Sequence, residues 1–199
     1  MKSTILSLLR DKNTSLENFR KAADQLASLL SFKVHDLVEK GEHTIETPHS
    51  ETKGFHLKQN IFLIPILRAG LALLYPFMKL FPSSPVGFVG LQRDEETALP
   101  IPYYEKLPSI EPSDAVVILD PMIATGGSGR EVIKTLKSKG VIENNIIYAG
   151  IIAAPEGIKA IKEIAPKMQV VCIEIDTHLN DKKFIMPGLG DFGDRYFGT

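Results

Sequence analysis

The chain has little of several features that mark large classes of proteins. One cysteine, Cys172, stands among 199 residues, so no disulfide can form within the chain. The apolar neighbours of Cys172 predict a buried, inert thiol. The formal net charge is −1, which leaves no basic surface of the kind that nucleic-acid binding requires.

Long apolar runs are missing as well. No stretch approaches the roughly 20 apolar residues of a membrane-spanning helix. Residues 5–9 are largely apolar, but Arg10 and Asp11 follow at once, so the run is too short for the core of a signal peptide. We therefore expect a cytoplasmic protein with neither a nucleic-acid nor a membrane partner.

What the sequence does contain fits one ordinary globular domain. Hydrophobic residues make up 44% of the chain and charged residues 24%, and a chain of this length can bury about 70% of its extended surface. We expect a single domain over residues 1–199. Near its start, apolar residues at helical spacing predict an amphipathic helix over 14–33, with a capping box formed by Thr14 and Glu17.

Beyond residue 60, short apolar runs alternate with helical patterns. The runs predict strands over residues 61–67, 86–91, 115–119, 146–154 and 169–175, and the patterns predict helices near 70–80, 128–139 and 155–165. This alternation is typical of an α/β fold, in which helices cover a parallel sheet. The polar stretch over residues 40–56 has histidines without zinc-site spacing, so we expect a solvated loop or an edge hairpin there.

The most informative segment is a buried strand that runs into a turn of small residues. Residues 116–119 are apolar and end at Asp120, and the small residues 125–128 follow. Small residues let several backbone N–H groups converge on one phosphate, and the next helix adds the positive end of its dipole. Ser128 and Glu131 also fit a capping box with Ser128 as the N-cap. The segment predicts a phosphate-binding loop with Asp120 at the strand end, where ligand-binding residues gather.

Two other nucleotide-binding motifs are excluded. Gly188, Gly190 and Gly193 satisfy the G-x-G-x-x-G spacing, but the six residues after Gly193 are too few for the helix and second strand of a dinucleotide-binding unit. No G-x-x-x-x-G-K-[ST] motif occurs, which excludes a P-loop kinase. Residues 185–199 are too rich in glycine for a regular element, and we expect an ordered hood over a ligand.

The segment at residues 120–128 resembles the ribose-phosphate signature of type I phosphoribosyltransferases. That signature is an acid on a buried strand followed by a Thr-Gly-Gly phosphate loop. Most members have a second acid after the first, whereas this chain has Pro121. The form Asp-Pro-Met-Ile-Ala-Thr-Gly-Gly-Ser is the version found in the uracil phosphoribosyltransferase family. Pro121 therefore narrows the resemblance from the type I phosphoribosyltransferases to that one family.

Further segments extend this resemblance over most of residues 60–199. Residues 65–70 are similar to the family's pyrophosphate loop, and residues 92–108 to a mobile arm in which Gln92 stands where the family usually has tyrosine. Residues 153–158 also resemble the family and indicate packing at a helix start. Residues 185–199 match the family's uracil-binding segment.

The resemblance implies roles for individual residues. Catalytic roles are implied for Asp120, Arg93 and Asp191. The phosphoribosyl diphosphate donor is expected to contact Arg68, Arg93, Asp120, Pro121, Met122, Ile123, Ala124, Thr125, Gly126, Gly127, Ser128 and Asp191. The uracil base is expected to contact Ile185, Gly190, Asp191 and Phe192. Mg²⁺ is the implied cofactor, held mainly through the substrate diphosphate, and its protein ligands are left open.

The implied fold is that of type I phosphoribosyltransferases, a mainly parallel five-stranded sheet flanked by helices. Its core is expected at about residues 60–175, and a small hood at about 176–199, together with the helix 14–33. The implied reaction converts uracil and 5-phosphoribosyl 1-diphosphate to UMP and diphosphate, in a homodimer or a higher homo-oligomer. Two alternatives stay open, namely transfer to another base such as orotate or a purine, and a non-catalytic regulator that senses the donor and binds RNA. The near-neutral charge speaks against the regulator.

Overall fold

The computed structural model describes residues 1–93 and 100–199, apart from the side chain of Arg93. Its first half contains α1 (Lys2–Arg10), α2 (Leu16–Leu37), β1 (Lys40–Glu46), β2 (Glu51–Leu57), β3 (Ile61–Leu67), α3 (Leu71–Leu80), β4 (Phe88–Arg93) and β5 (Pro100–Lys106). Its second half contains β6 (Ala115–Leu119), β7 (Met122–Ile123), α4 (Gly127–Ser138), β8 (Ile146–Ala153), α5 (Pro155–Ile164), β9 (Gln169–Ile175), β10 (His178–Leu179), β11 (Ile185–Met186) and α6 (Phe192–Phe197). No helix of the described residues is both long and apolar enough to cross a membrane.

The central sheet confirms the predicted parallel α/β architecture. Strands β4, β3, β6, β8 and β9 lie side by side and parallel, and β5 is antiparallel to β4 at one edge. The chain breaks from the sheet after β6 and returns as β7, which pairs with β8 in the same register as β6 does. The antiparallel edge strand β5 was not predicted.

Two apolar cores cover the two faces of this sheet. On β6, Val117 and Leu119 belong to the core that contains buried residues of α2 and α3, whereas Val116 and Ile118 belong to the core under α4 and α5. Every residue of β6 and of β8 is buried. This explains their unbroken apolar runs, since a strand between two helical layers has no solvent face.

At the amino terminus the structure differs from the prediction in two respects. The predicted helix 14–33 is present as α2, but its N-cap is Ser15, whose side chain accepts a hydrogen bond from the Asn18 N–H at 3.3 Å. The predicted Thr14–Glu17 capping box is therefore wrong by one residue. The short helix α1 was not predicted, and it buries Leu6 and Leu9 against α2.

The polar stretch after α2 forms a hairpin, where we expected either a solvated loop or a hairpin at the sheet edge. β1 and β2 pair antiparallel from Lys40↔Leu57 to Glu46↔Glu51 and form a two-stranded ribbon separate from the central sheet. Most of its side chains are exposed.

The carboxyl-terminal segment is more regular than its glycine content indicated. β10 and β11 pair antiparallel, and α6 follows, so the prediction of no regular element is wrong. The reason is that Gly188, Gly190 and Gly198 take positive φ values at turns, whereas Gly193 lies inside the helix. Phe192 of α6 packs on Phe19 of α2 with ring centroids 5.3 Å apart. The division of one domain into a core and a hood stays a prediction.

Candidate functional site

The loops that follow β3 and β6 meet at one edge of the sheet. β3 and β6 are parallel, with Pro65 opposite Leu119, so Arg68 and Asp120 follow neighbouring strand ends. Gly70 makes this approach possible, because a Cβ there would lie 2.3 Å from the Leu119 carbonyl oxygen. The structure thus brings together the segment that the sequence assigned to the diphosphate of the donor and the segment that it assigned to the ribose phosphate.

Asp120 is half-buried between β6 and β7, where its carboxyl group has two hydrogen-bond partners. Oδ2 accepts from the hydroxyl of Tyr148 at 2.7 Å, and Oδ1 accepts from the Met122 N–H at 3.3 Å. Burial raises the pKa of Asp120 to about 6, although both hydrogen bonds act in the opposite direction. The acid is therefore held in one orientation and titrates close to neutral pH.

Tyr148 is a site residue that the sequence analysis missed. It lies in β8, where its neighbours Ile147 and Ala149 are apolar and buried. In such an apolar run, a tyrosine is expected to be an ordinary residue of the hydrophobic core. No short motif links it to Asp120, which is 28 residues away in sequence.

The phosphate loop starts α4 one residue after Gly126. Gly126 is the N-cap of the helix and takes a φ of 76°, a value that favours glycine. A Cβ at this residue would also lie 2.7 Å from the Gly157 carbonyl oxygen. The helix therefore begins before Ser128, and the prediction that Ser128 is its N-cap is wrong. In the loop itself, the Gly127 N–H donates to Thr125 Oγ1 at 3.3 Å.

These residues enclose a small polar cavity of about 40 Å³. It is lined by Asp120, Met122, Ile123, Ala124, Thr125, Gly126, Gly127, Ser128, Gly129 and Tyr148. Of the expected donor-binding residues in this segment, Pro121 alone does not line the cavity. Pro121 is buried, and its carbonyl oxygen accepts from the N–H groups of Ile151 and Ile152 in β8.

The segment that begins α5 packs against the back of the phosphate loop. The Ala154 N–H donates to the Ile123 carbonyl oxygen at 2.9 Å. Gly157 approaches so closely that a Cβ would lie 2.2 Å from the Ala124 carbonyl oxygen. This confirms the packing role expected for residues 153–158.

Arg68 lies beside the carboxyl-terminal segment. Its guanidinium group is 3.2 Å from Asp194 Oδ1 and 5.8 Å from the ring centroid of Phe197, and both charged side chains are more than half exposed. A Cβ at Gly193 would lie 3.9 Å from the Ala69 Cβ. The predicted pyrophosphate loop and the predicted base-binding segment are therefore neighbours.

The expected base-binding residues differ in their exposure to solvent. Ile185 and Phe192 are buried in the apolar core, so only their main chains remain for contact with a base. Gly190 is exposed, with a φ of 82°. Asp191 is exposed as well and caps α6, accepting from the Asp194 N–H at 3.0 Å. Their contact with uracil stays a prediction.

A charged clasp, formed by Arg10, Asp176 and Gly188, holds this segment against the amino terminus. Arg10 bonds both carboxylate oxygens of buried Asp176, at 2.8 and 2.5 Å, and the Gly188 carbonyl oxygen at 2.7 Å. Asp176 also accepts from the Gly188 N–H at 2.9 Å. Arg195 adds a bond to the Asp11 carbonyl oxygen at 2.6 Å. The sequence analysis missed the clasp, because its two charges are 166 residues apart.

The expected contact of Arg93 with the diphosphate concerns a side chain outside the described part of the chain. Residues 94–99 of the predicted arm also lie outside it. The main chain of Arg93 ends β4 and pairs with Pro100 of β5.

Among the described residues, no group of three or more histidine, cysteine, aspartate or glutamate side chains is placed to hold a metal ion. Mg²⁺ is commonly bound by one or two carboxylates together with substrate phosphates and water. Asp191, an exposed carboxylate, fits this kind of binding.

Comparisons with known proteins agree with this geometry. Residues 2–199 match the model of the family described as uracil phosphoribosyltransferase. The chain belongs to the uracil phosphoribosyltransferase family. A uracil phosphoribosyltransferase of Bacillus cytotoxicus is 43% identical to it over 195 residues, which are 98% of this chain and 92% of that protein. One of Limosilactobacillus reuteri is 40% identical over the same shares of the two chains.

Solved structures show the same fold. The AQ2163 protein from Aquifex aeolicus superposes with a TM-score of 0.88 at 34% identity, covering 100% of this chain and 94% of that one. An adenine phosphoribosyl transferase from Trypanosoma brucei superposes with a TM-score of 0.56 at 14% identity, covering 86% of this chain and 69% of that one. The second likeness supports the fold alone.

Proposed function

We propose that the chain transfers a phosphoribosyl group from 5-phosphoribosyl 1-diphosphate to uracil, releasing UMP and diphosphate. The observation that carries this proposal is the cavity in which Asp120 and the glycine-rich loop meet at the start of α4. Such a site offers a carboxylate for sugar hydroxyls and converging N–H groups for a phosphate. Membership of the family supports uracil as the acceptor.

In this proposal the protein acts mostly by positioning and by charge. Asp120 accepts hydrogen bonds from the ribose hydroxyls, and residues 125–128 bind the 5′-phosphate. The transition state resembles a ribosyl cation, so a carboxylate near the ring stabilises the developing charge. The fixed orientation of Asp120 between Tyr148 and Met122 suits this role.

The leaving diphosphate is assigned to Arg68 and Arg93. A planar guanidinium binds phosphate oxygens in pairs, and Arg68 is exposed beside the strand ends. When bound to the diphosphate, Mg²⁺ would supply positive charge to the leaving group. Asp191 is the carboxylate that we assign to the donor or its metal.

Uracil selection is assigned to the main chain of the hood around Gly190. Uracil presents an acceptor, a donor and an acceptor along O2, N3 and O4, which match N–H, C=O and N–H groups of a backbone. Cytosine mismatches two of these groups. At roughly 1–3 kcal/mol for each of the two buried mismatches, cytosine is rejected by about 30-fold to about 10⁴-fold. The buried side chains of Ile185 and Phe192 support this assignment, because they leave only main chain to face the base.

A diphosphate-release assay with several bases tests the proposal. The purified chain is mixed with Mg²⁺ and 5-phosphoribosyl 1-diphosphate, and uracil, orotate, cytosine, hypoxanthine and adenine are compared by kcat/KM. We expect the kcat/KM for uracil to exceed that for every other base by at least about 30-fold. A higher kcat/KM for orotate or a purine than for uracil would show that this other base is the substrate. If no base caused diphosphate release although the donor bound measurably, the result would favour the alternative of a non-catalytic regulator that senses the donor.

The proposal includes a homo-oligomer in the cytoplasm. Leu71, Tyr75 and Met78 lie along one stripe of α3 and are 39%, 62% and 42% exposed, which supports a contact between subunits. Light scattering on the purified chain would test this assembly.

A further inference from the structure

Tyr148 places a single hydroxyl group at the floor of the donor site. Its side chain is 1% exposed, and its hydroxyl donates to Asp120 Oδ2 at 2.7 Å. A buried hydroxyl without a partner is costly, so this bond fixes both groups. The other carboxylate oxygen is oriented by the Met122 N–H.

The structure makes room for this tyrosine at a specific residue. A Cβ on Gly129 would lie 2.5 Å from Tyr148 Cε2 and 2.9 Å from its hydroxyl oxygen. Any side chain at Gly129 would therefore displace the ring. Gly129 is in the first turn of α4, so the helix that follows the phosphate loop is shaped around the Tyr148 ring.

The titratable groups that face Asp120 are Tyr148 from β8 and Cys172 from β9. Among the side chains that the structure describes, no lysine, arginine or histidine bonds to Asp120. Burial and the Asp120 charge raise the pKa of Tyr148 well above its ordinary value, and the same causes raise the pKa of Cys172 to about 12. Both groups stay protonated at neutral pH, so the Tyr148 hydroxyl is a permanent donor.

We propose that Tyr148 is a positioning residue of the donor site, whose hydroxyl orients Asp120 and keeps it ionised for the ribose hydroxyls. The role of Asp120 toward ribose rests on the proposed function. The effect of Tyr148 on the Asp120 carboxyl does not, because it follows from their hydrogen bond alone.

The sign of the pH effect follows from the titration of Asp120. Its pKa is raised to about 6 by burial, so the carboxylate predominates above that pH. The Tyr148 hydrogen bond lowers this pKa, and its removal raises it further. A hydrogen bond to a charged group corresponds to about one to two pKa units. Without the hydroxyl, Asp120 is therefore about half protonated or more at pH 7.

The first test is a carboxyl titration of the ligand-free protein. ¹³C-labelled aspartate is incorporated, Asp120→Asn identifies the resonance, and wild type is compared with Tyr148→Phe, which keeps the ring. We expect the midpoint to rise by about one to two pH units. Tyr75→Phe, on the exposed face of α3, is the matched control and leaves the midpoint unchanged. Equal midpoints in wild type and a folded Tyr148→Phe protein would overturn the proposal.

The second test is the pH profile of kcat/KM for the donor, which reports groups of the free enzyme. In Tyr148→Phe we expect the acidic limb to move up by about one to two pH units, so that the loss of activity relative to wild type is greatest at acidic pH and becomes smaller as the pH rises. An acidic limb at the same pH as in wild type would contradict the proposal. If wild type transfers nothing to uracil, the proposed function fails, and the carboxyl titration still decides the role of Tyr148.

Discussion

The phosphate loop and the carboxyl-terminal hood are proposed to bind neighbouring parts of the substrates, and they are built in opposite ways. The loop is formed by residues 120–129, which are contiguous in the chain. The hood is held by the clasp between Arg10, Asp176 and Gly188, which joins the two ends of the chain. Local sequence therefore determines the first region, whereas long-range pairing determines the second.

The largest effect is expected from breaking the clasp. Asp176→Ala leaves the Arg10 charge and the Gly188 N–H without their partner, and removal of one member of a buried pair costs about 3–5 kcal/mol. The free energy of unfolding in urea should fall by that amount. The control is Glu174→Ala, since Glu174 pairs with Lys2 at 2.9 Å with side chains 38% and 39% exposed. An exposed pair contributes about 0–1 kcal/mol. Equal losses in the two variants would mean that the clasp does not hold the hood.

Arg68→Ala tests whether the surface between loop and hood binds the diphosphate. Loss of a charge-assisted contact should weaken donor binding by about 10- to 100-fold and leave UMP binding unchanged, because UMP has no diphosphate. Calorimetry with both ligands measures this. Arg20 is the control, an arginine that bonds the Tyr196 carbonyl oxygen of the hood at 2.8 Å. Equal weakening of donor and UMP would assign Arg68 a general structural role.

Two adjacent glycines, Gly126 and Gly127, test whether local sequence determines the conformation of the loop. Gly126→Ala forces a side chain into positive φ and toward the Gly157 carbonyl oxygen, which should cost about 1–3 kcal/mol of stability. In Gly127→Ala the new Cβ would lie 3.5 Å from its nearest neighbours, and the change should stay below about 0.5 kcal/mol. Thermal unfolding compares the two variants. A larger loss of stability in Gly127→Ala than in Gly126→Ala would show that a residue other than Gly126 determines the turn.

The smallest effect concerns the start of α2. Ser15→Ala removes the observed side-chain cap and should cost about 1 kcal/mol, whereas Thr14→Ala should change little. Urea denaturation distinguishes the two. A larger loss in Thr14→Ala would restore the capping box that the sequence suggested.

The same contrast explains what could be predicted from the sequence. The strands and helices around Asp120 were predictable, because apolar runs and small residues act within a few residues of each other. Tyr148 was not, because its hydroxyl matters only when β8 lies beside β6. Arg10 and Asp176 each look like an ordinary surface charge until the two ends of the chain meet. The prediction that Ser128 is the N-cap of α4 was wrong, because Gly126, at positive φ, caps the helix two residues earlier.

The pairing of β8 on both sides of Asp120 has a consequence for binding entropy. The main-chain N–H of Asp120 donates to the Ala149 carbonyl oxygen at 3.1 Å, and Met122 and Ile123 pair with Ile152 and Ala153. Ordering a backbone costs about 1–2 kcal/mol per residue. Because this stretch is ordered by folding, a ligand does not have to order it on arrival. In the proposed function, the affinity of the loop for phosphate is thus set partly by backbone hydrogen bonds that never contact the ligand.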